Sequence, residues 1–96
     1  MTKDEILMQL RQLKPELANR YHARGIALFG SVVRGEQTAA SDVDVLVDFD
    51  EAATLFDLAG LALFLEEQLG CRVDVVPRRA LRAEIRERVL DEAIPV

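Results

Sequence analysis

Two carboxylates, Asp42 and Asp44, flank a single valine at the start of a hydrophobic run of the kind that forms a buried strand. Side chains alternate between the faces of a strand, so both are predicted to point the same way, roughly 6 to 7 Å apart. At such a separation two ionised carboxylates repel by about 3 kcal/mol at an effective dielectric constant of about 20. Mg²⁺ offsets this repulsion well, because it binds one or two carboxylates, several waters and substrate phosphates. The pair therefore indicates a metal site, and the alternative is two hydrated acids at a strand end, with Asp42 capping a turn.

A third acid, Asp74, lies in the middle of another predicted strand, residues 72–76. Its β-branched neighbours make an ionised carboxylate costly there unless it meets a cation or hydrogen-bond donors. If the two strands are adjacent, Asp74 completes a three-carboxylate metal site with Asp42 and Asp44.

The Gly30-Ser31 pair ends a further predicted strand and precedes a segment, residues 32–35, that could begin a helix. Backbone N–H groups at such a turn, together with the Ser31 hydroxyl, can hold phosphate. Alone, the pair would be only a turn. Combined with the three acids, it places phosphate donors and metal ligands at one sheet edge, as two-metal phosphoryl or nucleotidyl transfer requires.

The hydrophobic pattern predicts the elements that position these residues: a small α/β sandwich formed by one domain, residues 1–96. Proline and glycine mark most of the predicted boundaries. The predicted order is a helix from Thr2 to Pro15, a short second helix from Pro15 to Gly25, strands over 26–29 and 43–49, a helix over 55–69 ended by Gly70, a strand over 72–76, and a last helix after Pro77.

Composition excludes several classes of protein. The formal charge of -5 argues against a nucleic-acid binder, since phosphate backbones reward clustered Lys and Arg. The single Cys71 allows no internal disulfide, and no apolar run reaches membrane-spanning length. We therefore expect a cytoplasmic protein that contacts neither membrane nor nucleic acid. His22 has no second metal-ligand residue at suitable spacing, which favours a surface role at a helix end.

The spacing of these residues resembles a known family. Gly30-Ser31, ten intervening residues and Asp42-x-Asp44, with a later Asp74, is similar to the minimal nucleotidyltransferase (MNT) branch of the DNA polymerase beta superfamily. The similarity extends over nearly the whole chain, including the closing Glu-Ala-Ile-Pro-Val. It implies a small α+β nucleotidyltransferase fold, in which helices pack on one face of a mixed sheet of three to four strands.

The resemblance also implies roles for individual residues. Gly30 and Ser31 would bind the phosphates of ATP, the substrate. Asp42, Asp44 and Asp74 would hold two Mg²⁺ ions, and Asp74 would assist activation of the attacking hydroxyl. Two further residues of the motif join the predicted nucleotide-binding set, Arg34 and Ser41. Arg34 could contact phosphate or brace the loop.

Members of this branch often pair with a helical HEPN ribonuclease in toxin-antitoxin systems and adenylylate that partner, commonly at a tyrosine. By resemblance, we expect this chain to be an antitoxin that transfers AMP to a HEPN-type toxin. We expect no second substrate-binding domain, so the acceptor would have to be presented by a partner. Two alternatives remain: an antitoxin that neutralises its partner by binding alone, and nucleotidyl transfer to a small molecule or an RNA end.

Overall fold

Four helices and four strands make up the described part of the computed structural model, residues 1–38 and 40–96. They follow one another as α1 (Lys3–Tyr21), β1 (Ala23–Phe29), α2 (Ser31–Arg34), β2 (Val43–Phe49), α3 (Leu55–Leu69), β3 (Val73–Pro77), a 3₁₀ turn (Arg78–Ala80), α4 (Ala83–Glu92) and β4 (Ile94–Pro95). The predicted boundaries of β2 and α3 are confirmed, and β3 begins and ends one residue later than predicted.

The strands form one mixed sheet in the order β3-β2-β1-β4. β2 is parallel to β3 and antiparallel to β1, and β1 is antiparallel to β4. This arrangement confirms the predicted small nucleotidyltransferase-type α+β fold. The fourth strand is too short to show an alternating sequence pattern, so the sequence could suggest three or four strands without deciding between them.

The side chains of β2 alternate between two unlike faces of the sheet. Val43, Val45 and Val47 point to one face and are at most 4% exposed, where they join a core built from α1 and α3. Asp44 points to the other face, together with Leu46. The alternation predicted from the sequence is therefore the division between the main core and the face that carries the acids.

A second, smaller cluster covers part of the acidic face. Leu46 of β2 packs there with Leu81 and with Val89 of α4, and all three are buried. The resemblance implied helices on one face of the sheet, where α1 and α3 lie, but the structure also places α4 on the opposite face. As a result, the C-terminal end of α4 lies on the same side of the sheet as Asp44.

α1 continues through Pro15, which the sequence analysis interpreted as a break. That prediction was wrong, as was the short second helix after it, because α1 extends without interruption to Tyr21. A proline inside a helix costs about 3 kcal/mol through its missing N–H and its ring clash. Burial of Leu10 and Leu17, both fully enclosed, contributes roughly 1.5 to 3 kcal/mol each and outweighs that cost.

α3 has well-defined ends. The Thr54 N–H donates to Asp57 Oδ2 over 2.8 Å at its start, and Gly70 is its C-cap. Although α3 is rich in leucine, none of the described helices is both long and apolar enough to cross a lipid bilayer.

Candidate active site

Asp44 and Asp74 are neighbours across the parallel strands β2 and β3. Their Cα atoms are register partners, so both side chains leave the sheet on the same face. Asp44 is partly buried, whereas Asp74 is exposed. The fold thus brings together two of the carboxylates that the sequence analysis assigned to one site.

Gly30 allows the Asp44 carboxylate to lie directly against the Gly30-Ser31 turn. A Cβ atom on Gly30 would lie 2.9 Å from Cγ of Asp44 and even closer to Oδ2. Gly30 also has a φ of 84°, which disfavours any residue with a side chain. The glycine is therefore needed both for the turn and for the position of the acid.

The environment of Asp44 opposes its ionisation. Partial burial, followed by the carboxylates of Asp74 and Asp42, raises the pKa of Asp44 to about 6, and the opposing effect of Arg34 is smaller. Arg34 therefore offsets only part of the repulsion among the acids. A cation bound near Asp44 would relieve it.

We predict that Asp44→Asn stabilises the metal-free protein near neutral pH. The folded-state pKa of Asp44, about 6, exceeds its ordinary value of 3.8. The stabilising effect of its proton is therefore complete below the unfolded-state pKa and is lost as pH rises through about 6. Asparagine removes the charge at every pH, which should raise stability by about 1 kcal/mol after allowance for solvent screening, or roughly 4 to 8 °C in Tm.

Thermal unfolding in EDTA at about pH 7.5 and about pH 4.5 measures this effect, and the gain should shrink at the lower pH because wild-type Asp44 is then largely protonated. A lower Tm for the variant than for the wild type at the higher pH would contradict the prediction.

Asp42 precedes β2 and forms an ion pair with the Arg72 side chain. Its Oδ1 accepts a hydrogen bond from Arg72 Nε over 3.1 Å. Arg72 is 81% exposed, so this ion pair contributes little to stability and is readily exchanged for another partner. In this conformation, no group of three or more His, Cys, Asp or Glu side chains within residues 1–38 and 40–96 is arranged to hold a metal ion.

The donor chemistry nevertheless suits Mg²⁺. The candidate ligands Asp42, Asp44 and Asp74 offer only carboxylate oxygens, which hard cations prefer. Mg²⁺ needs only one or two protein carboxylates when waters and phosphates complete its shell. Burial and the neighbouring acids raise the pKa of Asp44, and a bound divalent cation would oppose that effect by favouring the ionised carboxylate.

The Gly30-Ser31 turn opens α2, which brings Ser31 and Arg34 beside the acids. The Gly30 carbonyl accepts hydrogen bonds from the Val33 and Arg34 N–H groups, both at 3.1 Å. The Gly30 N–H donates to Glu92 Oε2 over 2.9 Å. Phosphate contacts predicted for this turn therefore depend on the Ser31 hydroxyl and on the N–H groups of Ser31 and Val32.

Arg34 braces the loop in this structure. Its Nη1 donates to Glu92 Oε1 over 2.8 Å and its Nε donates to Glu36 Oε1 over 2.9 Å. A guanidinium carries five N–H donors, so these two bonds leave others for phosphate. The two roles considered for Arg34, bracing and phosphate contact, are compatible.

Ser41 takes part in a local turn. Its hydroxyl accepts a hydrogen bond from the Thr38 N–H over 2.9 Å, and its own N–H donates to the Thr38 carbonyl over 3.0 Å. The structure thus provides a reason for a serine here that does not require a nucleotide. Its nucleotide-binding role stays a prediction.

Sequence reasoning missed Glu92 as a residue of this site. It lies 62 residues after Gly30 and among other acids of α4, so nothing in its local spacing distinguishes it. The only signal was its place at the start of the closing Glu-Ala-Ile-Pro-Val segment, one of the features that resembled the MNT family.

Known proteins resemble this chain in both sequence and fold. A family model described as a nucleotidyltransferase domain matches residues 10–96. The protein adenylyltransferase MntA of Thermococcus cleftensis is 44% identical over 96 residues, which cover 100% of this chain and 97% of that protein. A solved structure described as a minimal nucleotidyltransferase superposes with a TM-score of 0.82 at 48% identity, covering 96% of this chain and 94% of the other. A toxin-antitoxin crystal structure with AMP-PNP gives a TM-score of 0.70 at 25% identity, covering 99% and 72% of the two chains.

A mixed four-stranded sheet with acids on adjacent strands, next to a Gly-Ser turn, defines the class of nucleotidyl-transferring enzymes. The chain belongs to the nucleotidyltransferase domain family, as a minimal nucleotidyltransferase. The resemblance noted from the sequence is thereby confirmed, and so is the conclusion that the protein is an enzyme. The roles of single residues stay predictions.

Proposed function

We propose that this protein is a protein adenylyltransferase that transfers AMP from ATP to a hydroxyl of a toxin partner and thereby acts as its antitoxin. The observation that carries the proposal is the register of Asp44 with Asp74 directly beside the Gly30-Ser31 turn. Support also comes from the similarity to a protein adenylyltransferase and to a toxin-antitoxin structure with AMP-PNP. We further propose a HEPN-type toxin as the partner and a tyrosine as the acceptor.

The proposed reaction exchanges one P–O bond for another. The acceptor oxygen bonds to the α-phosphorus of ATP, the bond between the α-phosphorus and the bridging oxygen breaks, and pyrophosphate leaves. Asp74, exposed and adjacent to Asp44, takes the hydroxyl proton. Ser31 and Arg34 hold the phosphates. Asp42, Asp44 and Asp74 would hold Mg²⁺, which would supply positive charge to offset the charge of the phosphates and of the leaving group.

A partner protein is the natural source of the acceptor. Orientation of the two reactants accounts for roughly 7 to 11 kcal/mol of barrier reduction in well-aligned reactions. The described residues form one sheet and its helices, and Asp74 is exposed beside Asp44. A docked partner would bring its hydroxyl to these two acids, so the protein without its partner should turn over slowly.

We predict that incubation with ATP, Mg²⁺ and the cognate helical toxin adds one or more AMP units to the toxin. Intact-mass spectrometry of both proteins measures the addition, and a reaction with EDTA is the control. The toxin should gain mass only when ATP and metal are both present. Neutralisation of the toxin without any change in its mass would instead establish an antitoxin that acts by binding alone, and modification of RNA or of a small molecule would establish a different acceptor.

A further inference from the structure

Glu92 joins the end of α4 to the phosphate side of the site. Its carboxylate accepts two hydrogen bonds, from the Gly30 N–H over 2.9 Å and from Arg34 Nη1 over 2.8 Å. The Glu92 side chain is only 15% exposed. Both groups that it holds belong to the segment that begins with the Gly30-Ser31 turn.

The position of this acid is electrostatically costly. Glu92 is one of the charges that raise the pKa of Asp44, and a bound triphosphate would add several more negative charges nearby. An acid at this place must therefore contribute something that outweighs its repulsion. Burial raises the pKa of Glu92, but the hydrogen bonds from Arg34 and Gly30 outweigh this effect and lower it overall, so Glu92 keeps its charge while it holds both groups.

Gly30 is the more informative of the two contacts. The residue is buried, and a buried N–H without an acceptor costs free energy. Glu92 satisfies this N–H, while the Gly30 carbonyl is occupied by the first turn of α2. The conformation of the turn, and with it the gap that admits the Asp44 carboxylate, is thus held from the C-terminal end of the chain.

We propose that Glu92 is a positioning residue for nucleotide binding. It holds the Gly30 N–H and the Arg34 guanidinium so that the phosphate loop, residues 30–34, is already ordered when ATP arrives. This inference rests on the proposed function, because it takes ATP as the ligand. Glu92 itself is not expected to touch the nucleotide, and it acts through Arg34 and the turn.

Glu36 provides a matched control. It also accepts a hydrogen bond from Arg34, through Nε, but its side chain is 63% exposed and its hydrogen bond is to Arg34 rather than to the Gly30 turn. Neutralising Glu36 therefore removes one negative charge and one Arg34 contact without affecting the turn.

The first experiment compares the ATP affinity of Glu92→Gln, Glu92→Ala, Glu36→Gln and Glu36→Ala by isothermal titration in the presence of Mg²⁺. Glu92→Ala should weaken ATP binding by about tenfold, because the loop must be ordered at the expense of binding energy. Glu92→Gln retains an acceptor for the Gly30 N–H and should lie between wild type and Glu92→Ala. Both Glu36 variants should bind within about twofold of wild type.

The order of the ATP affinities of these variants separates a positioning role of Glu92 from a purely electrostatic effect of its charge. If Glu92 acted only by repelling phosphate, Glu92→Gln and Glu92→Ala would both bind ATP more tightly than wild type, and that result would overturn the proposal. Wild-type affinity in Glu92→Ala would overturn it as well.

A second measurement needs no nucleotide. In ¹⁵N-resolved NMR spectra, the Gly30 amide should shift and exchange with solvent faster in Glu92→Ala than in wild type, with little change in Glu36→Ala. An unchanged Gly30 amide would disprove positioning through the hydrogen bond between Glu92 and Gly30, even if ATP binding fell. If the wild-type protein bound no ATP although the amide responded as expected, the proposed function would fail together with the nucleotide role of Glu92. The hydrogen bond between Glu92 and Gly30 would then remain as a structural contact.

Discussion

Asp44→Asn is expected to reduce AMP transfer by at least about a thousandfold while the protein stays folded. Asp44 lies between the other parts of the site, because it is in register with Asp74 and contacts the Gly30 turn. Asparagine has nearly the same shape but lacks the charge that binds a hard cation. The loss should therefore appear as failure to bind Mg²⁺ with ATP and as absence of AMP on the partner, measured by titration calorimetry and intact-mass spectrometry.

Asp48→Asn is the matched control for this substitution. Asp48 is on the same strand and the same face, two positions beyond Leu46, but it is exposed and is not among the charges that perturb Asp44. It should retain nearly full transfer activity. Equal activity of Asp44→Asn and wild type, with unchanged circular dichroism, would show that the site has been assigned to the wrong residues.

The second large effect is expected from Gly30→Ala. The φ and ψ of Gly30 are 84° and −153°, a region that is essentially restricted to glycine and costs other residues roughly 1 to 3 kcal/mol. The new Cβ would also collide with the Asp44 carboxylate. We expect a loss of about 3 kcal/mol or more in the free energy of unfolding. Transfer should also be lost, because Asp44 must move away from the turn.

Gly35→Ala separates strain from collision. Gly35 also has a positive φ, 73°, but a Cβ there would meet no atom within 4 Å. The variant should therefore lose only the backbone cost, about 1 to 2 kcal/mol. Urea unfolding measures both variants, and transfer assays under conditions where both are folded compare their activity. If Gly30→Ala were as stable and as active as Gly35→Ala, the contact between the turn and Asp44 would not matter.

Local patterns in the sequence determined much of this protein. The alternation of valine with polar residues placed β2 at its observed bounds and put Asp44 on the face opposite the buried valines, because side chains alternate along a strand. The apolar spacing and Gly70 likewise determined α3. Each of these features depends on neighbours a few residues apart, and such short-range geometry can be read directly from the chain.

Only the tertiary structure decided the features that join distant segments. Pro15 lies inside α1 because burial of Leu10 and Leu17 outweighs a local penalty, and the sequence shows the penalty but not the burial. The pairing of Asp44 with Asp74 depends on the parallel register of β2 and β3. Glu92 reaches Gly30 across 62 residues because α4 packs on the acidic face of the sheet. Such contacts follow from how whole elements bury their surfaces against one another, and no spacing along the chain encodes that energy locally.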